Sequence, residues 1–345
     1  MTQPSLVPVF DGHNDVLLRL RRGGSNSASA FLQGEDAGHI DLPRARRGGL
    51  AGGLCAIFIP SPDQPRPENV DFITPAQPDA LNETLAMARL LFDIEAQSDG
   101  GVKVCRSAAD IRSSIAEGRF AAVFHIEGVE AIGADLDALY VLHQAGLRSL
   151  GPVWSRSNVF AHGVPFRFNS TPDIGAGLTD AGKDLIRACN ELKVMIDLSH
   201  MNEKGFWEIA KLSNAPLVAS HSNAHTLCPH SRNLTDNQLD AIGESNGLVG
   251  INFGVLFLRD DGVRNADTPL EALVRHVAYI AERIGIDHVA LGSDFDGTTI
   301  PQALGDAAGL PKLIDALRAH GFDDQAVAKI AHENWVRVLE QTWGG

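Results

Sequence analysis

The chain has 345 residues, 44% of them hydrophobic and 6% aromatic, enough to bury a large core without disulfide staples. Its 29 basic and 43 acidic residues leave a formal charge of −14, which disfavours nucleic acid as a partner. No apolar run approaches the roughly 20 residues of a membrane span, and residues 1–9 lack a basic n-region and a long apolar stretch, so a soluble cytoplasmic protein is expected.

In chain order, short apolar runs end in polar or charged residues and lead into helical patterns. Residues 7–10 run into Asp11-Gly12-His13-Asn14-Asp15. Arg44, Arg46 and Arg47 then read as a local solvated patch. Residues 53–59 end in Pro60-Ser61-Pro62, and the proline-rich stretch 60–78 reads as an ordered surface excursion or lid. Residues 121–124 lead into His125-Ile126-Glu127-Gly128, and 147–153 into Trp154-Ser155-Arg156. Residues 194–198 end in Ser199-His200, and 216–219 in Ser220-His221-Ser222. The last two runs, 248–252 and 288–291, lead into Phe253-Gly254 and Gly292-Ser293-Asp294.

Uninterrupted apolar runs of this length suit strands buried on both faces. Helical patterns cover 79–98, 108–117, 135–145, 179–192, 203–212, 235–245 and 269–284. Thr179-Asp180 and Thr235-Asp236 suit an N-cap followed by an acidic first turn. Eight strands alternating with helices predict one (β/α)8 TIM-type barrel, a single domain over residues 1–345. A doubly wound open sheet is the structural competitor, and no GxGxxG follows the first strand to support it. Cys55, Cys105, Cys189 and Cys228 lie far apart with no CxxC pair and read as free thiols.

The polar residues that end these strands fall where such barrels place their chemistry. His13 and Asp15, two apart in extended backbone, point the same way and can reach one metal ion. Glu127, His200, His221 and Asp294 end later strands. Three histidines and three acids exceed one open tetrahedral zinc site and suit two ions sharing a carboxylate. Ser199 and Ser220 each precede a histidine, but no GxSxG elbow is present.

These motifs, with Ser231-Arg232-Asn233 and Gly292-Ser293-Asp294-Phe295-Asp296-Gly297, resemble the membrane (renal) dipeptidase family, zinc metallopeptidases of the amidohydrolase-like superfamily. The resemblance runs over nearly the whole chain. It implies that His13 and Asp15 bind one zinc, that His200 and His221 bind the other, and that Glu127 bridges them. It also implies that Arg232 holds the substrate carboxylate and that Asp294 handles the proton of the attacking water. Two cations would lower the pKa of a bridging water enough to give hydroxide near neutral pH. Dipeptides are the implied substrates, L,D-dipeptides among them, and the family often forms homodimers. The alternative for Arg232 is a surface arginine paired with Asp236.

One position departs from the family pattern. Trp154 stands where the family carries a histidine that polarises the scissile carbonyl. Arg156 and His162 are candidates to replace that histidine; alternatively, Trp154 packs a substrate-pocket wall. His125 is read as packing in the barrel interior, Asp296 and Gly297 as shaping a turn, and His225 and His230 as exposed loop residues. A two-metal hydrolase for another small amide or ester, or a non-catalytic metal-binding homologue, carries the same mouth.

Overall fold

A computed structural model describes residues 6–23, 27–66, 68 and 70–344. The sequence expectations that fall on residues 1–5, Pro67 and Asn69 lie outside the described residues. The strands are β1 (Val9–Asn14), β2 (Leu50–Phe58), β3 (Val102–Val104), β4 (Phe120–Glu127) and β5 (Ser149–Gly151). They continue with β6 (Met195–Ile196), β7 (Val218–Ala219), β8 (Leu248–Ile251) and β9 (Val289–Leu291).

All pair in parallel, in the runs β1-β2-β4-β5-β6 and β7-β8-β9. Single parallel bridges close the ring, Asp197 with Val218 and Asn14 with Phe295. Leu198 N donates to Val218 O and Asp15 N to Phe295 O, each at 2.8 Å. The result is the expected eight-stranded barrel.

β3 was not anticipated from the sequence. It pairs with residues 120–122 of β4, on the edge that β5 occupies farther along. β6 and β7 are shorter than their apolar runs for a local reason. Just beyond them the Asp197 carboxylate, not a neighbouring ladder, accepts the amides of Ser199 at 3.0 Å and Ser220 at 2.7 Å.

One apolar cluster fills the barrel interior, with Phe10, Leu54, Val123, Met195, Val218, Leu248 and Ala290 from successive strands. Trp335, on the helix Asn334–Trp343, closes it from below and donates its indole N–H to Leu291 O at 2.9 Å. A Cβ at Gly12 would overlap the Trp335 ring and Ser220 O, so β1 approaches the plug only as glycine.

The helices cover the outside. Asp180–Leu192 buries Leu185, Ile186 and Cys189, and Leu270–Ile284 buries Leu273, Val277 and Ile280. The expected caps are present: Thr179 Oγ1 accepts from Gly182 N at 3.0 Å, and Thr235 N donates to Gln238 Oε1 at 2.9 Å.

Arg44 corrects the expected solvated patch. It is buried, pairs with Asp41 at 2.6 Å, and donates to the carbonyls of Glu35, Ala37 and Gly38; Arg46 and Arg47 are exposed. Among the described residues no helix is long and apolar enough to cross a membrane.

Candidate active site

Alternate residues of a strand share a face, and this rule builds the barrel mouth. His125 and Glu127 alternate along the end of β4; on β1 the register against β2 shifts between Asp11 and Asn14, His13 lies within that shift and Asp15 directly follows the strand, and all five are buried. Glu127 stands between two groups of ligand atoms. Its Oε2 lies 3.8 Å from His13 Nε2, while its Oε1 lies 3.0 Å from His200 Nε2 and 3.4 Å from His221 Nε2. Asp15 Oδ2 approaches His13 Nε2 at 3.5 Å.

The histidines are aimed by partners on their other nitrogens. His200 Nδ1 meets Ser155 Oγ at 2.7 Å, and His221 Nδ1 meets Ser220 Oγ at 2.7 Å. Ser220 in turn donates its hydroxyl to Asp197 Oδ2 at 2.5 Å. With both Nδ1 atoms engaged, the Nε2 lone pairs are left for the site. Burial holds both imidazoles neutral, with pKa values well below the usual 6.5. His200 and Asp294 adopt left-handed backbone, φ 66° and 57°. For a non-glycine residue this costs about 1–3 kcal/mol and is met mainly where function fixes the geometry.

The charge balance of the mouth calls for a cation. Burial raises Glu127 to about 8. Burial opposes charge on His13 as well, yet Glu127, Asp15 and Asp294 outweigh it and lift His13 to about 10. Crowded acids in a dry site attract protons, and a divalent ion satisfies the same demand. Both ring nitrogens of His13 and Oδ1 of Asp15 are buried with no hydrogen-bond partner. His13, Glu127 and His221 offer ligand atoms all within 4.8 Å of one another, as do His13, Asp15 and Asp294. Imidazole and carboxylate donors at this spacing fit divalent ions of the zinc type.

Asp294 Oδ2 accepts from Asn252 Nδ2 at 2.9 Å, and burial beside Asp15 raises its carboxyl to about 6 although His13 pulls it down. A Cβ at Gly297 would overlap the carboxylates of both Asp15 and Asp294, so Gly297 does more than shape a turn. Arg232 is buried and does not pair with Asp236, which bonds Arg283 at 3.1 Å. Its guanidinium donates to Ser222 Oγ at 3.3 Å and His221 O at 3.1 Å, while its Nε has no partner. No carboxylate forms an ion pair with it among the described residues. Burial lowers its pKa to about 10, so it remains a cation at neutral pH.

These groups open into a cavity of about 380 Å³ lined by Asp15, Glu127, His200 and Asp294 on the polar side. Phe58, Trp154, Phe166 and Phe257 form its aromatic wall. Trp154 packs on Phe72 at 4.5 Å and Phe58 at 5.1 Å, its ring 5.7 Å from that of His200. Arg156 is occupied elsewhere: it is buried against Glu130 at 2.8 Å and also donates to Ile59 O. His162 meets Ser157 Oγ at 3.0 Å and does not line the cavity.

Two histidines differ from the exposed-loop expectation. His230 is buried and accepts from Arg232 N at 3.1 Å, and His225 is half-buried against Ser170 O at 3.0 Å. His125 sits inside the barrel on Ser149 Oγ at 2.9 Å, its Nε2 3.8 Å from Asp197.

The sequence reading gave no roles to Asp11, Ser155, Asp197 or Asn252. Asp11 accepts from Ser293 N at 2.6 Å and so locks β1 to the start of the Asp294 loop.

Residues 5–343 match the membrane dipeptidase family, peptidase family M19. The chain belongs to that family. A metallo peptidase from Rhodobacter sphaeroides, liganded with a phosphinate mimic of the dipeptide L-Ala-D-Ala, superposes with a TM-score of 0.95 at 52% identity, covering 98% of this chain and 100% of that one. The protein encoded in the pqqA 5′ region of Klebsiella pneumoniae is 52% identical over 77% of this chain and 97% of its own length. The dipeptidase tcpJ of Claviceps purpurea is 30% identical over 96% of this chain and 76% of its own length. The dipeptidase family thus shares with this chain the whole barrel that carries the mouth.

Proposed function

We propose that this member of the membrane dipeptidase family is a zinc-dependent dipeptidase that works with two ions at the barrel mouth. The observation that carries the reading is Glu127, whose two oxygens face His13 on one side and His200 with His221 on the other. His13 and Asp15 would hold one ion, His200 and His221 the other, and Glu127 would be shared. When bound, the ions supply Lewis acidity, making a water acidic enough to attack and polarising the amide.

The remaining steps belong to side chains. Asp294, one oxygen held by Asn252, accepts the proton of the attacking water and returns it to the leaving amine. Arg232, a buried cation lacking a carboxylate partner, receives the α-carboxylate of the substrate, which favours dipeptides over longer chains. Trp154 forms a wall of the substrate pocket. Acceptance of a D-residue at the C-terminal position is supported by the L-Ala-D-Ala mimic held by the Rhodobacter relative.

Elemental analysis of the purified protein, followed by a screen of L,L- and L,D-dipeptides, tests the reading. Two zinc ions per chain with dipeptide turnover are expected, and Glu127→Gln is expected to lower the metal content. A metal-free chain, or a fully loaded one that cleaves no dipeptide, overturns it.

A further inference from the structure

Besides the buried Arg232, which stacks on the cavity-lining Phe257, two arginines line the cavity itself. Arg22 ends the helix Val16–Arg22 that follows β1, and Arg264 lies after β8 on the loop between the helices Val255–Leu258 and Leu270–Ile284. Both line the cavity together with residues 296–298, which follow β9. Because β9 lies between β8 and β1 in the ring, the two arginines come from the strands on either side of that turn.

Both side chains are exposed, and neither makes a hydrogen bond or ion pair among the described residues. Two nearby carboxylates are engaged elsewhere. Asp296 accepts from Arg19 Nε at 3.0 Å and from His39 N at 2.6 Å, while Asp261 pairs with Arg259. In a chain of formal charge −14, two guanidinium groups unpaired among the described residues thus line this cavity together with Phe58, Trp154 and Phe166.

A dipeptide with neutral side chains carries a single carboxylate, and the buried Arg232 already offers it a cation. The rim arginines therefore address a second negative charge. We infer that Arg22 and Arg264 select dipeptides bearing an acidic side chain, a carboxylate that guanidinium groups can grip by paired hydrogen bonds. This inference rests on the dipeptidase reading above and names the substrate class within it. The same charges draw an anionic substrate toward a mouth that the acidic surface would otherwise repel.

The test compares kcat/KM for Glu-Ala with Gln-Ala, and for Ala-Glu with Ala-Gln, using L- and D-residues at the second position. The paired amides match in size and differ in charge, and the two arrangements tell which residue of the dipeptide carries the recognised side chain. In at least one arrangement the Glu substrate is expected to be preferred by about tenfold at low ionic strength. The preference is expected to shrink severalfold near about 0.5 M NaCl, where exposed charges are screened. In the Arg22→Ala/Arg264→Ala double variant the Glu-to-Gln ratio is expected to fall toward one.

A ratio at or below one in both arrangements of the wild-type protein overturns the inference. So does a preference that neither salt nor the double substitution changes. The salt series needs no variant, so a misfolded double mutant does not blunt it. Turnover of neutral dipeptides without a Glu preference sinks the rim alone. Absence of turnover on every dipeptide sinks the dipeptidase reading and the rim with it.

Discussion

At the floor of the barrel, Trp335 donates to Leu291 O at 2.9 Å, and Asn334 donates its amide to Ile286 O at 2.8 Å and Val289 O at 2.9 Å. At the mouth, among the described residues, neither ring nitrogen of His13 is hydrogen-bonded, nor are Asp15 Oδ1 and Arg232 Nε. Both regions are buried, so the difference is not one of solvent. A buried polar atom left unpaired costs about 1–3 kcal/mol, and several in one place oppose folding. The floor is arranged to hold the barrel shut. The mouth keeps groups whose partners arrive as ions and substrate.

The two ends should therefore fail differently when altered. The largest effect is expected from Asp294→Asn, which keeps the shape but removes the proton acceptor. Turnover should fall by about 10²–10⁴-fold, with a melting temperature close to that of the parent. Steady-state kinetics beside thermal unfolding checks this, and unchanged turnover removes Asp294 from the chemistry. Trp335→Ala at the floor should do the opposite. Loss of a fully buried indole and its hydrogen bond costs about 3–5 kcal/mol of stability, with far less change in kcat per folded chain. A normal urea midpoint with poor catalysis would reverse the comparison.

Arg232→Ala should come next. The loss should be about tenfold to a hundredfold on substrates with a free C-terminal carboxylate, as expected for one charge-assisted pair. Equal losses on amidated analogues would argue that Arg232 only supports the His221 carbonyl and the Ser222 hydroxyl, to which it already donates.

Most of this comparison was legible in the sequence at the mouth and little of it at the floor. His13 with Asp15, Glu127, His200, His221 and Asp294 each follow an apolar run, so strand ends and candidate ligands could be read together. Their supporting partners could not be, because they come from distant segments. Asp197 meets Ser220 across 23 residues, and Ser155 meets His200 across 45. His230 looks like a loop residue until Phe166 and Phe257 close on it, at 6.1 and 4.9 Å. The burial of Arg44 is illegible for a similar reason, since the carbonyls that receive it belong to an irregular stretch with no periodic signal. The floor helix did leave a trace: Trp335, Val338, Leu339 and Thr342 recur at helical spacing on one buried face. What periodicity does not reveal is that Trp335 faces the barrel axis rather than a neighbouring helix.

His276 sits between the two regimes and gives the smallest expected effect. It is fully buried on the helix Leu270–Ile284, where its Nδ1 accepts from Ala224 N at 3.1 Å and its Nε2 donates to Leu258 O at 3.2 Å. It thereby ties the loop after β7, which carries Arg232, to the segment after β8. Burial lowers its pKa from 6.5 to about 4, so the fold keeps it neutral. The unfolded chain takes up a proton near pH 6.5, whereas the native chain does so only near pH 4. Its contribution is therefore complete above the higher value and drains away as pH falls toward the lower one, by about 3 kcal/mol in all. His276→Leu should cost about 1–3 kcal/mol at pH 7.5 by leaving the Ala224 amide and the Leu258 carbonyl unpaired. The gap from the parent should then narrow as the pH is lowered, because leucine has no proton to take up. Denaturant midpoints of the two proteins across the acid range measure that gap directly. A constant gap would mean that His276 takes up its proton at the same pH in the folded and the unfolded chain, and that burial does not hold the imidazole neutral.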